Sequence, residues 1–151
     1  MNNLNKYAQP DQLERNSFLW SEVRLIIAAV ALFIGGYPPL LRFNPISVLQ
    51  GPFSTLLTVA WLISGAASLY LLYRWNQSGM RVFGGVDMKD KVTFLVSVVS
   101  GINLGLVSLL DRNIGMSISS NYAIFVIVGF LYLFSAWHLY KRWDESGQKL
   151  F

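Results

Sequence analysis

Long apolar stretches without charge constrain this chain more than any other feature of its sequence. Phe53–Tyr73 and Val92–Leu110 contain no Asp, Glu, Lys or Arg, and Tyr122–Tyr140 contains none of these either, although it includes His138. About 20 apolar residues in a helix cross the hydrocarbon core of a bilayer. A helix also satisfies its own backbone polar groups, as lipid requires. Each stretch is therefore predicted to be a transmembrane helix.

A fourth span is predicted near the start of the chain, over about residues 18–37. It follows a polar arm, residues 1–17, and ends where Gly35 and Gly36 precede two prolines, which do not continue a helix. Because the arm is polar, no cleavable signal peptide is expected there. The composition agrees with a membrane protein, since 13% of the residues are charged against about a quarter in soluble domains.

One segment of the sequence occurs twice. Arg74–Phe83 reads RWNQSGMRVF, and Arg142–Phe151 reads RWDESGQKLF. Each copy follows an apolar span. A second, weaker match pairs residues 40–44 with residues 109–113. Two such units with two spans each would have the same orientation and be related by a twofold axis along the membrane normal. The alternative is chance similarity, because two membrane exits both favour Arg and Trp.

These patterns predict an all-α integral membrane four-helix bundle built as a 2+2 parallel repeat of transmembrane hairpins. The arm is followed by a first hairpin, a cytoplasmic linker and a second hairpin. The predicted bounds are 1–17 for the arm, 18–83 for the first hairpin (spans about 18–37 and 53–73), 84–91 for the linker, and 92–151 for the second hairpin (spans about 92–110 and 122–140).

Basic residues predict the orientation. The arm with the start of span one, the middle loop and the tail together hold ten of the 12 Lys and Arg residues, including Lys6, whereas the other two loops hold only Arg42 and Arg112. This positive-inside bias places both termini in the cytoplasm, with the protein in a cell inner (cytoplasmic) membrane. The residues expected at the inner interface or on anionic lipid are Arg24, Arg74, Trp75, Arg81, Arg142, Trp143 and Lys149.

Two patches of small residues are candidate helix-packing faces. Gly101 and Gly105 form a GxxxG pattern in span three, with Asn103 between them. Such glycines let a neighbouring backbone approach closely, and an amide can hydrogen-bond across the contact. Span two carries a similar patch, which consists of Ser64, Gly65 and Ser68. The contacts are expected between spans two and three or between subunits. The alternative is a ligand or ion contact at Asn103.

Two ionisable residues in or near the spans, Glu22 and His138, are further candidates for ligand or ion contact. Glu22 and Arg24 are two residues apart on one helix, so they point in nearly opposite directions. Glu22 is expected to meet a basic residue of the middle loop, the alternative being a proton or cation site. Arg24 is expected to extend towards the headgroups. His138 is expected to be a packing or headgroup contact, because a quinone or haem ligand role would want a second partner.

The sequence predicts a non-catalytic membrane subunit that acts through helix packing, as a homo-oligomer or as an accessory or scaffold component of a larger complex. The alternative is a small pore or carrier for a neutral or lipid-like molecule between the two repeats. There is no cysteine and one histidine, so no disulfide, metal site or cofactor is expected. No catalytic set is recognisable, and an enzyme is disfavoured. The expected partners are membrane lipids and other membrane subunits or itself, with no nucleic acid.

Overall fold

The computed structural model describes residues 9–42 and 47–151, without the side chain of Ser47. Its four long helices are α1 (Pro10–Phe33), α2 (Gln50–Gln77), α3 (Met88–Leu110) and α4 (Tyr122–Glu145). Three short helical turns, Pro39–Arg42, Ser47–Leu49 and Ile114–Ile118, lie in the two loops that join α1 to α2 and α3 to α4. All four long helices are long and apolar enough to cross a membrane, which confirms the prediction of an all-α bundle of four apolar helices. Residues 1–8 of the arm, with Lys6, and residues 43–46, with Phe43 and Asn44, lie outside the described residues.

The helices begin and end where local chemistry dictates. Pro10 lies at the start of α1, where its missing N–H is no loss. Asp87 caps α3, because its carboxylate accepts hydrogen bonds from the amides of Lys89 (2.7 Å) and Asp90 (3.3 Å). These bonds lower the pKa of the Asp87 carboxyl below its ordinary value. All four helices extend beyond their predicted spans at the end of the bundle that holds residues 9 and 151, whereas α1 ends at Phe33, before the predicted residue 37.

The bundle has two different ends. We call the one with the starts of α1 and α3 and the ends of α2 and α4 the terminal end, and the opposite one the loop end. The most extensive helix contacts join α2 to α3 and α1 to α4. α1 and α3 also touch across the centre, whereas α2 and α4 occupy opposite corners without contact.

The packed core lies at the terminal end. Phe18 of α1 packs its ring on Trp143, with ring centroids 5.4 Å apart, and Phe94 of α3 packs on Trp75 at 5.6 Å. Trp143 is buried and Trp75 is half-buried, so both rings belong to the protein core rather than to an exposed belt at the lipid interface. The buried cluster consists of Phe18, Leu71, Val82, Phe94, Val98, Leu139, Trp143 and Leu150.

The repeated segments close α2 and α4 in the same way. The Ser78 amide donates to the Arg74 carbonyl at 3.0 Å, and the Ser146 amide donates to the Arg142 carbonyl at 3.0 Å. A glycine and then a non-glycine residue with positive φ follow each serine. In the first copy these are Gly79 (72°) and Met80 (61°), and in the second Gly147 (67°) and Gln148 (64°). The left-handed backbone at this point turns the chain back under the helix end.

This turn buries one apolar residue of each tail, Val82 at 0% and Leu150 at 2% exposure. The two tails also touch, since the Phe83 amide donates to the Leu150 carbonyl at 2.7 Å. The terminal end is thus closed by both copies of the repeated segment.

The second sequence match does not correspond in the structure. Leu109 and Leu110 are the last residues of α3. Leu40 and Leu41 lie instead in the short helix Pro39–Arg42, after α1 has ended. The two pairs therefore occupy different places relative to their helices.

Candidate functional site

A cavity occupies the centre of the bundle at the loop end. Its volume is about 1020 Å³, and all four long helices line it. We call it the chamber. Most of its wall is apolar. The largest apolar side chains that line it include Ile27, Phe53, Leu57, Trp61, Leu104 and Phe125.

The chamber exists because the helices stay paired at this end while the two pairs separate. The α2–α3 pair is joined here by the hydroxyl of Ser108, which donates to the Thr58 carbonyl at 2.9 Å. The α1–α4 pair is joined by the hydroxyl of Tyr122, which donates to the Phe33 carbonyl at 3.0 Å. The Phe33 ring also packs edge-on against Phe130, with centroids 5.2 Å apart.

Contacts between α1 and α2 belong mainly to the other half of the bundle. Arg74 pairs with Glu14 at 2.8 Å, and the Tyr70 hydroxyl donates to the Pro10 carbonyl at 3.1 Å. The last side-chain hydrogen bond before the chamber begins joins the indole N–H of Trp20 to the Ser64 hydroxyl oxygen at 3.0 Å. Beyond that point the space between the helices is open.

The predicted small-residue patches face each other inside the chain. A Cβ built on Gly65 would lie 2.8 Å from the Cα of Gly105, and one built on Gly101 would collide with the Ser68 side chain. Gly101, Gly105, Ser64, Gly65 and Ser68 are all buried. The structure therefore places these residues in the contact between α2 and α3 of one chain.

Arg24 does not extend towards the headgroups as expected. It is 5% exposed and lines the deep end of the chamber. Its guanidinium donates to the Ser100 hydroxyl oxygen (3.0 Å) and to the carbonyl and hydroxyl oxygens of Ser97 (2.7 and 3.3 Å). Its Nε has no hydrogen-bond partner, and in the described part of the chain no carboxylate lies within ion-pair distance of it.

Glu22 lies on another side of α1, as its spacing from Arg24 predicts. It is 5% exposed, and neither carboxylate oxygen has a hydrogen-bond partner among the residues that the structure describes. It lines a separate apolar groove of about 500 Å³ between α1 and α4, beside Leu133 and Trp137. The basic partner expected from the middle loop is not found in these ranges.

Asn103 holds one of the loops over the chamber. Its Nδ2 donates to Asn113 Oδ1 at 3.0 Å, and its Oδ1 accepts the Ile114 amide at 2.9 Å. The Asn113 side chain in turn caps the short helix Ile114–Ile118. Asn103 also lines the chamber, but its amide is already engaged with the loop.

His138 belongs to an ion-pair cluster at the terminal end. Its Nε2 lies 2.7 Å from Asp90 Oδ1, and Arg142 Nη2 lies 3.1 Å from Asp90 Oδ2. Asp90 is 1% exposed. Arg74 pairs with Glu14 in the same way on the first hairpin. The sequence interpretation missed both acids as partners of the repeated arginines. The available signal was that each acid lies in the first turns of the helix that begins its hairpin.

The remaining predicted interface residues, Arg81 and Lys149, are exposed at the terminal end. Their contact with anionic lipid remains a prediction. Among known proteins, no family model, no curated protein and no solved structure matches this chain.

Proposed function

We propose that this chain is a multi-pass membrane protein that binds a lipid-like molecule in the chamber. The observation that carries the proposal is the chamber itself. Protein interiors are normally packed as densely as organic crystals, whereas this bundle contains a chamber of about 1020 Å³ that is partly open to its surroundings. Ligand sites are typically apolar cavities of about 300–1,000 Å³ with a few polar groups. The size and the lining of the chamber fit that description.

The chamber supports the carrier alternative of the sequence interpretation more than it supports assembly through glycine patches. The faces that contain Gly65, Gly101 and Gly105 are buried between α2 and α3, so they offer no free surface to another subunit. Assembly as a homo-oligomer or as an accessory part of a complex stays a prediction. The mass and composition of the particle extracted from its native membrane test it.

The proposal includes the 2+2 repeat. Its support is that the buried positions of α1 and α3 correspond one for one. Eight residues are buried in each helix, and adding 76 to each buried position of α1 gives a buried position of α3, from Glu14 and Asp90 to Ala29 and Gly105. The equivalent ring pairs and the equivalent helix ends described above add further support. In this arrangement a twofold axis passes between α1 and α3, and helices of both hairpins line the chamber.

The proposal also includes the orientation and the membrane. The terminal end carries most of the basic residues, among them the exposed Arg81 and Lys149, whereas the loop end carries Arg42 and Arg112. By the positive-inside rule the terminal end is cytoplasmic and the chamber lies in the outer half of the bilayer of a cell inner membrane. A cysteine placed at Lys149 and one placed at Arg112 should then react with a membrane-impermeant thiol reagent from opposite sides.

Filling the chamber tests the binding function. Ala60 of α2 lines the chamber, whereas Ala66 of the same helix is exposed on the outside of the bundle. Ala60→Phe should exclude the bound molecule, because the added ring occupies the chamber. Ala66→Phe should leave the molecule in place and is the matched control, since it adds the same side chain to the same helix outside the chamber. The measurement is the amount of lipid-like material that copurifies with each protein in mild detergent, determined by native mass spectrometry.

Equal retention by the Ala60→Phe and Ala66→Phe proteins would contradict the proposal, as would a wild-type protein that carries no small molecule and takes up none. Both variants should first be shown to elute as a single species of wild-type size, so that a misfolded protein is not counted as an empty one.

A further inference from the structure

The buried charge of Arg24 identifies the chemistry of the ligand. This inference rests on the proposed function, since it concerns the same chamber. We propose that the chamber binds an anionic amphiphile, whose carboxylate or phosphate headgroup pairs with the Arg24 guanidinium and whose hydrocarbon chain lies against the apolar wall.

The depth of Arg24 makes its charge unusual. The residue is nine positions before the end of α1 at Phe33, which places it about 14 Å below that end at 1.5 Å per residue. The start of the helix is still farther away. Charged side chains inside a membrane are costly and are normally paired. Because the side chain is enclosed against α3, it does not extend to a headgroup layer that could provide the partner.

In the described part of the chain Arg24 has hydrogen-bond partners, but no carboxylate lies within ion-pair distance of it. The three contacts of the guanidinium end on hydroxyl and carbonyl oxygens of Ser97 and Ser100. They orient the group without neutralising it. The nearest acid in sequence, Glu22, lines the separate groove between α1 and α4. An anion bound in the chamber would supply the missing charge.

The groups around Arg24 suit an anionic headgroup. The Arg24 guanidinium is a planar fork of donors that matches carboxylate and phosphate oxygens. The Ser100 hydroxyl accepts from Arg24, so its own proton is available to a further acceptor. The hydroxyl-bearing Tyr132 also lines the chamber. A headgroup at this point would therefore meet several donors in a low-dielectric site.

The rest of the chamber suits a hydrocarbon chain. The wall beyond Arg24 is formed mainly by apolar side chains such as Leu57 and Phe125. A small inorganic anion would leave that wall empty, whereas a neutral lipid would leave the charge of Arg24 unpaired. An amphiphile with an anionic head satisfies both parts of the chamber at once.

Two probes with the same hydrocarbon chain and different heads test the inference. Tritiated palmitate and tritiated hexadecanol are bound to the detergent-solubilised protein in a scintillation proximity assay. The wild type should bind palmitate at least about tenfold more tightly than hexadecanol, since a hydrogen-bonded charge is worth more than about 1.4 kcal/mol. Arg24→Gln should remove this preference, mainly by lowering the affinity for palmitate. Arg24→Lys should retain part of it.

Competition distinguishes the two headgroup chemistries. Phosphatidic acid that displaces palmitate, when diacylglycerol does not, assigns a phosphate-headed lipid. Displacement by free fatty acids alone assigns a carboxylate. Either result supports an anionic amphiphile, and displacement by diacylglycerol as effective as that by phosphatidic acid would contradict it.

The outcomes separate this inference from the proposed function. If the wild type binds both probes equally and Ala60→Phe abolishes the binding of both, the chamber binds lipid-like molecules, but the inference of an anionic headgroup is wrong. If the wild type binds neither palmitate nor hexadecanol and copurifies with no lipid, both proposals fail. The wild-type comparison needs no variant, so it decides the question even if Arg24→Gln does not fold.

Discussion

The two ends of this bundle treat buried polar groups in opposite ways. At the terminal end Asp90 is fully buried and lies within ion-pair distance of Arg142 and His138, and apolar side chains fill the space around it. At the loop end Arg24 is also buried, but its hydrogen bonds within the described ranges end on neutral oxygens, and the chamber lies beside it. The same four helices form both ends. The difference teaches that the repeated tails complete one end, while the other keeps the chamber that we propose binds a ligand.

Removing the carboxylate of Asp90 should have the largest effect on the packed end. Asp90→Ala leaves Arg142 and His138 without their buried partner. We expect a loss of about 3 kcal/mol in the free energy of unfolding, the lower end of the range for breaking a buried ion pair, because Arg142 keeps some access to solvent. The measurement is unfolding of the solubilised protein by increasing SDS.

Glu145→Ala is the matched control for Asp90→Ala. Glu145 also contacts Arg142, at 3.4 Å, but it is exposed. An exposed ion pair contributes little, so this variant should lose less than about 0.5 kcal/mol. Similar losses in the free energy of unfolding for the two variants would show that the burial of Asp90 does not strengthen its ion pairs.

A leucine on α2 in the packed end should matter more than a leucine on the same helix at the chamber. Leu71 is 2% exposed in the core cluster, and Leu57 lines the chamber. Leu71→Ala should lower the free energy of unfolding by about 2 kcal/mol. This is near the minimum for such a change in a core, because lipid partly replaces water around the unfolded helices. Leu57→Ala only enlarges an existing cavity, so its loss should be below about 1 kcal/mol. SDS unfolding compares the two, and a larger loss for Leu57→Ala would contradict the distinction between the ends.

A methyl group on Gly65 should disturb the α2–α3 contact that supports both ends. The added Cβ would meet the Gly105 backbone, which cannot rotate away. We expect Gly65→Ala to lose about 1–2 kcal/mol through overpacking. Gly51→Ala on the same helix has open space around the new Cβ and should be neutral or slightly stabilising. Thermal unfolding of the two solubilised variants measures the difference, and equal melting temperatures would show that the close approach is not needed.

Replacing Glu22 should give the smallest change in the free energy of unfolding, and this change should be an increase rather than a loss. Its buried carboxyl lacks a hydrogen-bond partner in the described ranges, and burying such a group costs free energy. Glu22→Leu should therefore stabilise the protein by about 1 kcal/mol, and Glu22→Gln by less, because the amide stays polar. If Glu22→Leu folds and is stabilised but loses ligand binding, Glu22 is a ligand contact as the sequence alternative holds.

Much of the fold followed from hydrophobicity alone. Uncharged stretches such as Phe53–Tyr73 are sufficient to predict transmembrane helices, because lipid permits few other backbone structures. The helix bounds were less accurate. Residues such as Asp87 and Pro10 extend the helices beyond the apolar part, and hydropathy does not report such caps.

The candidate site was harder to predict because it depends on distances between helices. Arg24 was expected near the headgroups on the basis of its position in the sequence, since Lys and Arg side chains near helix ends usually reach that layer. Only the packing of α1 against Ser97 and Ser100 of α3 shows that its side chain is enclosed. The chamber itself leaves no pattern in the sequence, because the same apolar residue types line its wall and face the lipid.

The contacts at the terminal end can form in a fixed order while the chain is being made, because some of them join helices of one hairpin and others join the two hairpins. The Glu14–Arg74 pair joins α1 to α2, so it can form as soon as the first hairpin is in the membrane. The ring contact of Phe18 with Trp143 needs the last helix. Because the N-terminal part of a chain is made first, each hairpin can be fastened by its own ion pair before the rings join the two. The ion pairs thus stabilise each hairpin after its insertion, and the ring contacts stabilise the assembly of the two hairpins.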